Sequence, residues 1–154
     1  MTLNTRPMVA VVMSHVAAGG HAVSVVGHEP KTAPGGPGEI SAAVWFQSCG
    51  PTGRNSGLSA TDALVLLMVR FYNAVGSSPP DEVDPRMTDA MDDLIGRITG
   101  DFTLGGTVDY VDLLGQTGES MRADAGHVEL GRALQRVIDV RVPCVVHDVW
   151  TQAR

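Results

Sequence analysis

The chain has 154 residues, 44% hydrophobic and 18% charged, with 18 glycines, 9 prolines and a formal net charge of −6. That length buries roughly 70% of the unfolded surface in one core, so a single domain over residues 1–154 needs no staples. The longest apolar run, residues 63–69, falls far short of the ~20 needed to cross a bilayer, which excludes a membrane-spanning helix.

Pro7 suits the first turn of a helix, with Thr5 as its cap, that runs to Ala18 and stops at Gly19-Gly20. Its run of Val, Met and Ala predicts a short, largely buried element. The apolar stretch 8–13 ends at Ser14-His15, shorter than a secretory signal's apolar region, and is expected to stay on the chain. Val23, Val25 and Val26 predict a strand, and Pro30, Pro34, Gly35, Gly36, Pro37 and Gly38 an exposed loop. Residues 40–47, carrying Trp45 and Phe46, predict a second strand. After a turn-rich segment at 50–57, residues 58–72 predict a third, and the two form a long hairpin. In the third strand both alternating sets are apolar, Leu64, Leu66 and Met68 against Val65, Leu67 and Val69. Neither face is meant for water, so the strand is central or has a partner.

Asp84-Pro85 reads as a capping pair. Val83, Met87, Ala90, Met91, Leu94, Ile95 and Ile98 then recur at helical spacing, predicting an amphipathic helix over 84–98 closed by Gly100, with Glu82, Asp89, Asp92 and Asp93 opposite. Gly105-Gly106 is a turn, and residues 107–114 predict a strand ending at Gly115. A hairpin of residues 126–130 and 135–150, turning at Gly131-Arg132, closes the chain. In its long strand Ile138, Val140, Val142, Cys144 and Val146 share a core face, while Gln135, Asp139, Arg141 and His147 share a wet or interfacial one.

Chemistry is sparse. Residues 81–93 hold six acids and one base, the rest of the chain nearly balances, and Lys31 is the only lysine. Without clustered Lys and Arg, specific nucleic-acid binding is not expected. Cys49 and Cys144, 95 positions apart, fit neither a disulfide framework nor a metal spacing, and read as free, buried thiols of a reducing compartment. His15, His21, His28, His127 and His147 show no zinc-type pairing. Gly105-Gly106 lacks the lysine and glycine spacing of a phosphate loop. Ser48-Cys49-Gly50 lacks a nucleophile elbow and a base. No metal, no cofactor and no enzymatic activity are expected.

Thr99-Gly-Asp-Phe-Thr-Leu-Gly-Gly-Thr-Val108, continuing Tyr110-Val-Asp-Leu-Leu-Gly115, resembles the tail-terminator proteins of long-tailed, siphovirus-type bacteriophages, particularly those of actinobacteria. Gly27-His-Glu-Pro30, Ala42-Ala-Val-Trp45, Ser56-Gly-Leu58, Asp84-Pro85, Ala123-Asp-Ala-Gly126 and Val142-Pro-Cys-Val-Val-His-Asp-Val-Trp150 follow in that family's order, over residues 27–152. The chain departs from the pattern at His127, where an aromatic is expected, and at Leu130-Gly-Arg-Ala-Leu134, where a polar turn is.

The resemblance implies an α+β subunit, a mostly antiparallel sheet flanked by two helices. It further implies a homo-oligomeric ring of six on the last ring of tail tube protein, at the head-proximal end of the tail in the virion, after synthesis in the host cytoplasm. There it would stop tube polymerisation, meet the head-to-tail connector or stopper protein, and let DNA pass without binding it. Interface candidates are Leu64, Leu66, Met68, Trp45, Phe102 and Leu104; channel-facing acids are Glu82, Asp89, Asp92 and Asp93. A head-closure or other connector ring is the nearest alternative. A small cytosolic ligand-binding or hydrolytic domain, with a pocket near His127, His147 and Trp150, is the alternative of another class.

Overall fold

The computed structural model describes residues 2–32, 34–52, 59–76 and 79–152. Helix α1 (Thr5–Ala18) is capped one residue before the expected Thr5, by Asn4, whose side-chain oxygen accepts the Arg6 N–H at 3.3 Å. Only the stripe Met8, Val12 and Val16 is buried. The expectation of a largely buried helix is thus corrected, because Ala10 and Ala17 are exposed and Val9 and Met13 only half-buried.

Strand β1 (Val25–Val26) pairs in parallel with β2 (Ser41–Pro51), which forms the expected long hairpin with β3 (Ala60–Ala74). Most of the turn-rich 50–57 segment, and the Ser56-Gly-Leu58 motif, lie outside the described residues. Helix α2 (Pro80–Gly100), β4 (Tyr110–Val111), β5 (Arg122–Leu130) and β6 (Ala133–Thr151) follow. All pairings besides β1–β2 are antiparallel, in the order β1-β2-β3-β6-β4, with β5 also on β6. This is the α+β arrangement expected from the sequence, with both helices on one face.

Alternation along β3 makes two cores. Val65, Leu67, Val69 and Phe71 join Ala42 and Val44 of β2 and Ile138, Val140, Val142 and Cys144 of β6 beneath the stripes of α1 and α2. Met68 and Tyr72 face the other way, into a small cluster with Ala43, Trp45 and Val137. β3 is therefore central and nearly double-faced. Cys144 is buried as expected, its thiol pushed up to about 12 by desolvation, whereas Cys49 is exposed, a correction to its predicted burial.

Two element boundaries also differ. α2 starts at Pro80, a good first helical residue because its missing N–H would have no partner there, so Asp84-Pro85 lies inside the helix rather than capping it. Pro85 costs only one early hydrogen bond, and the Asp84 carboxylate turns to the Arg136 guanidinium of β6 at 3.0 and 3.2 Å, which holds its pKa down. The expected strand over 107–114 shrinks to β4, because Asp112 captures the N–H groups of Gly115 (3.0 Å), Gln116 (3.0 Å) and Thr117 (2.8 Å) and the Thr117 hydroxyl, forming a turn. The final hairpin turns at Gly131-Arg132 as expected, despite the unusual residues around it.

Between α2 and β4 the chain makes three left-handed residues in succession, Leu104 (φ 48°), Gly105 (65°) and Gly106 (81°). Two glycines lower the cost of that path, and the strained Leu104 is retained because its side chain is wholly buried in the helix-side core. Asp101 braces the turn: one oxygen accepts the Gly105 N–H at 2.9 Å, and the other lies 2.8 Å from His15 Nε2 of α1. These contacts hold the Asp101 pKa down, the Gly105 bond most of all.

Candidate assembly surfaces

Registry across the sheet maps its helix-free face row by row. Gly50, Leu64, Val145 and Tyr110 make one row, and Ser48, Leu66 and Pro143 the next. Then come Trp45, Met68, Arg141 and Arg122, followed by Ala43, Arg70, Asp139 and Asp124. A polar lane thus crosses an otherwise apolar face. At its centre Arg70 grips Asp139 through both Nε and a terminal nitrogen, the latter at 2.9 Å, while its guanidinium stacks 5.4 Å from the Trp45 ring. The Asp139 bond, against partial burial, pushes the Arg70 pKa up.

The interface candidates therefore separate. Leu64 and Leu66 stay half-exposed at the hairpin end of this face, whereas Trp45 and Met68 are covered by the chain's own second cluster. Phe102 is 51% exposed on the turn after α2. Leu104, two residues on, has no surface to offer a neighbour; its place is the core. Among the acids, Glu82, Asp89 and Asp92 are exposed along α2, but Asp93 is paired with Arg97 at 2.8 Å and lies against Gly19 of α1.

The loop over 29–38 is tied down: Ser24 donates to the Pro34 carbonyl at 3.0 Å, and the Gly36 N–H donates to Glu39 at 3.1 Å. At the opposite end of the sheet, β6 bulges. Thr61 pairs with Trp150 and Ala63 with Val146, so Asp62 faces residues 147–149, and Asp148 takes up the slack at φ 53°. The buried Asp62 carboxylate accepts the Asp148 N–H at 2.9 Å and lies 2.6 Å from His147 Nδ1. Asp109 accepts the His147 N–H at 2.7 Å, and Tyr110 sits beside the imidazole. The Asp62 bond raises the His147 pKa above its ordinary value against slight burial. Nothing in the sequence alone signalled this knot, since its members lie 85 residues apart and meet only through the bulge.

The pocket expected near His127, His147 and Trp150 is not assembled. His127 is exposed on β5 opposite Arg136, and 11 residues of β6 separate that pair from His147, roughly 36 Å at 3.3 Å per residue. Among the described residues no group of three or more His, Cys, Asp and Glu is placed to hold a metal.

No protein-family model matches the chain, and no curated protein matches its sequence. Among solved structures it is similar to a sheath/tube terminator of an extracellular contractile injection system, PVC, in the extended state, at 12% identity and a TM-score of 0.46. The match covers 99% of this chain and 59% of that one, so the chain spans about three-fifths of its length.

Proposed function

We propose that this chain is a tail-terminator subunit of a siphovirus-type bacteriophage: a non-enzymatic virion protein that closes into a ring of six on the head-proximal end of the tail tube. The ring halts tube polymerisation and presents the head-to-tail connector with its docking surface. One observation carries this reading. The residues through which the sequence resembles terminators are those that shape the fold, with Asp101, Leu104, Gly105 and Gly106 bracing α1 against α2, and Asp112 and Gly115 ordering the β4 edge. A family defined by shape rather than by reactive groups leaves that signature.

In the ring, Leu64 and Leu66 meet an adjoining subunit or ring. Glu82, Asp89 and Asp92 face the lumen, where unpaired carboxylates keep passing DNA from sticking; Asp93, neutralised by Arg97, contributes little.

The test is to add the purified chain to polymerising tail tube protein and image the products by electron microscopy. Tubes that stop growing and carry one extra ring at one end are expected. Rings found only on isolated connectors would replace the reading with head closure. A monomer that ignores both objects and turns over a small substrate would end it.

A further inference from the structure

We propose that copies of this chain join through opposite edges of the sheet, Leu114 of one seating in the apolar groove beside α1 of the next. This rests on the proposed ring. The groove, about 340 Å³, is lined by Arg6, Val9, Ala10, Met13 and Phe46 among others, and a second hollow of about 470 Å³ continues it along Ala10 and Met13 toward Val23. Phe46 is 46% and Val23 62% exposed. Beyond Arg6, α1 has no charged side chain except the titratable His15, which is turned to Asp101. A helix that meets water on one side ordinarily carries charge there, so this side is built for cover.

The opposite edge supplies the cover. Leu114 is 83% exposed, on the turn that Asp112 fixes with four hydrogen bonds. A turn whose backbone is already fixed loses little freedom when its side chain docks. β1 and β4 stand at the two ends of the strand order, so groove and leucine lie at opposite edges of the sheet, two different patches such as a head-to-tail ring uses. Charge agrees. Residues 2–28 contain Arg6 and no Asp or Glu, whereas residues 105–121 contain Asp109, Asp112 and Glu119 and no Lys, Arg or His. Among the described residues neither Arg6 nor Glu119 forms an ion pair, and each lies beside its half of the seam.

Ala10→Asp spoils the groove and Leu114→Asp the leucine, both at exposed positions where the fold tolerates change; thermal melts confirm that each variant folds. Sedimentation velocity, alone and with tail tubes, then reads assembly. Each variant by itself should associate at least tenfold more weakly than the parent chain. Mixed, they should form heterodimers and nothing larger, because one intact groove and one intact leucine remain. Variants that assemble as the parent does would overturn this seam while leaving the ring intact. A parent chain that stays monomeric both alone and on tubes would overturn seam and ring together.

Discussion

Helices α1 and α2 lie side by side on the same sheet face, yet they finish differently. α2 buries Val83, Met87, Ala90, Leu94 and Ile98 along one stripe and turns Glu82, Asp89 and Asp92 to water, so its own chain satisfies it. α1 buries Met8, Val12 and Val16 but leaves Val9, Ala10, Met13 and Ala17 beside a groove where Arg6 and Ser14 are its few polar neighbours on the helix. The periodic helix is a completed surface, and the sparsely charged one is, in the proposed ring, half of a surface. If the chain works by assembly as proposed, the mismatch between how apolar an element is and how much of it the monomer buries points to where a partner belongs.

The largest effects test that contrast directly. Leu94→Ala and Met87→Ala open cavities in the core and should each cost about 2–5 kcal/mol in urea unfolding. Ala10→Ser and Ala17→Ser, at exposed positions of α1, should each change monomer stability by about 0.5 kcal/mol or less. Equal losses on both helices would show that α1 is closed within the chain.

Glycines give a second, smaller contrast. Gly105→Ala and Gly106→Ala force a side chain into the left-handed region and should each cost about 1–2 kcal/mol. Gly96, inside α2 with open space around its Cα, should instead gain about 0.5–1 kcal/mol as alanine. Thermal denaturation of the three variants separates conformational need from simple helix propensity.

Elements ruled by periodicity were readable in the sequence: the stripe of α2, the doubly apolar β3 and the core face of β6 all lie where alternation or 3.6-residue spacing puts them. Boundaries set by distant partners were not. Asp84 imitates a cap until Arg136, 52 residues on, is seen to hold it, and Asp112 imitates a strand position until it captures the next turn's N–H groups. The candidate surfaces divide in the same way. Leu64 and Leu66 keep surface to offer, but Leu104 is buried by a left-handed turn that no apolar pattern encodes. As a contact, Leu114 carries no signal in the sequence, because one exposed leucine means nothing until the groove at the other edge is known.

Acid tests the edge that carries Leu114. Burial pushes the Asp112 pKa up, but the Thr117 hydroxyl and the three N–H bonds outweigh it and hold the group below the usual carboxylate range. Its contribution is therefore present above about pH 4, the unfolded value, and lost as pH falls through the lower folded pKa. Asp112→Asn should cost about 1–3 kcal/mol at pH 7 and flatten that acid limb. If assembly depends on a rigid loop, it should also weaken association beyond the loss of monomer stability, measurable by sedimentation at a pH where the variant is fully folded.

The smallest effect lies at the bulge beside β4. Its sign is opposite, since the Asp62 bond raises the His147 pKa above 6.5. The stabilisation is complete below pH 6.5 and fades as pH climbs through the folded pKa. With the His147 side chain 39% exposed, solvent screening keeps it under about 1 kcal/mol. Asp109 and Asp148 also favour the imidazolium, so the fading follows the loss of one positive charge among three carboxylates. His147→Gln removes the titration while keeping a side chain able to donate to Asp62, and its unfolding free energy should run parallel to the parent's above the folded His147 pKa and separate from it as pH falls from there to 6.5. Curves parallel throughout would mean that the imidazolium charge adds nothing to Asp62, and that the bulge beside β4 is set by backbone geometry rather than by charge.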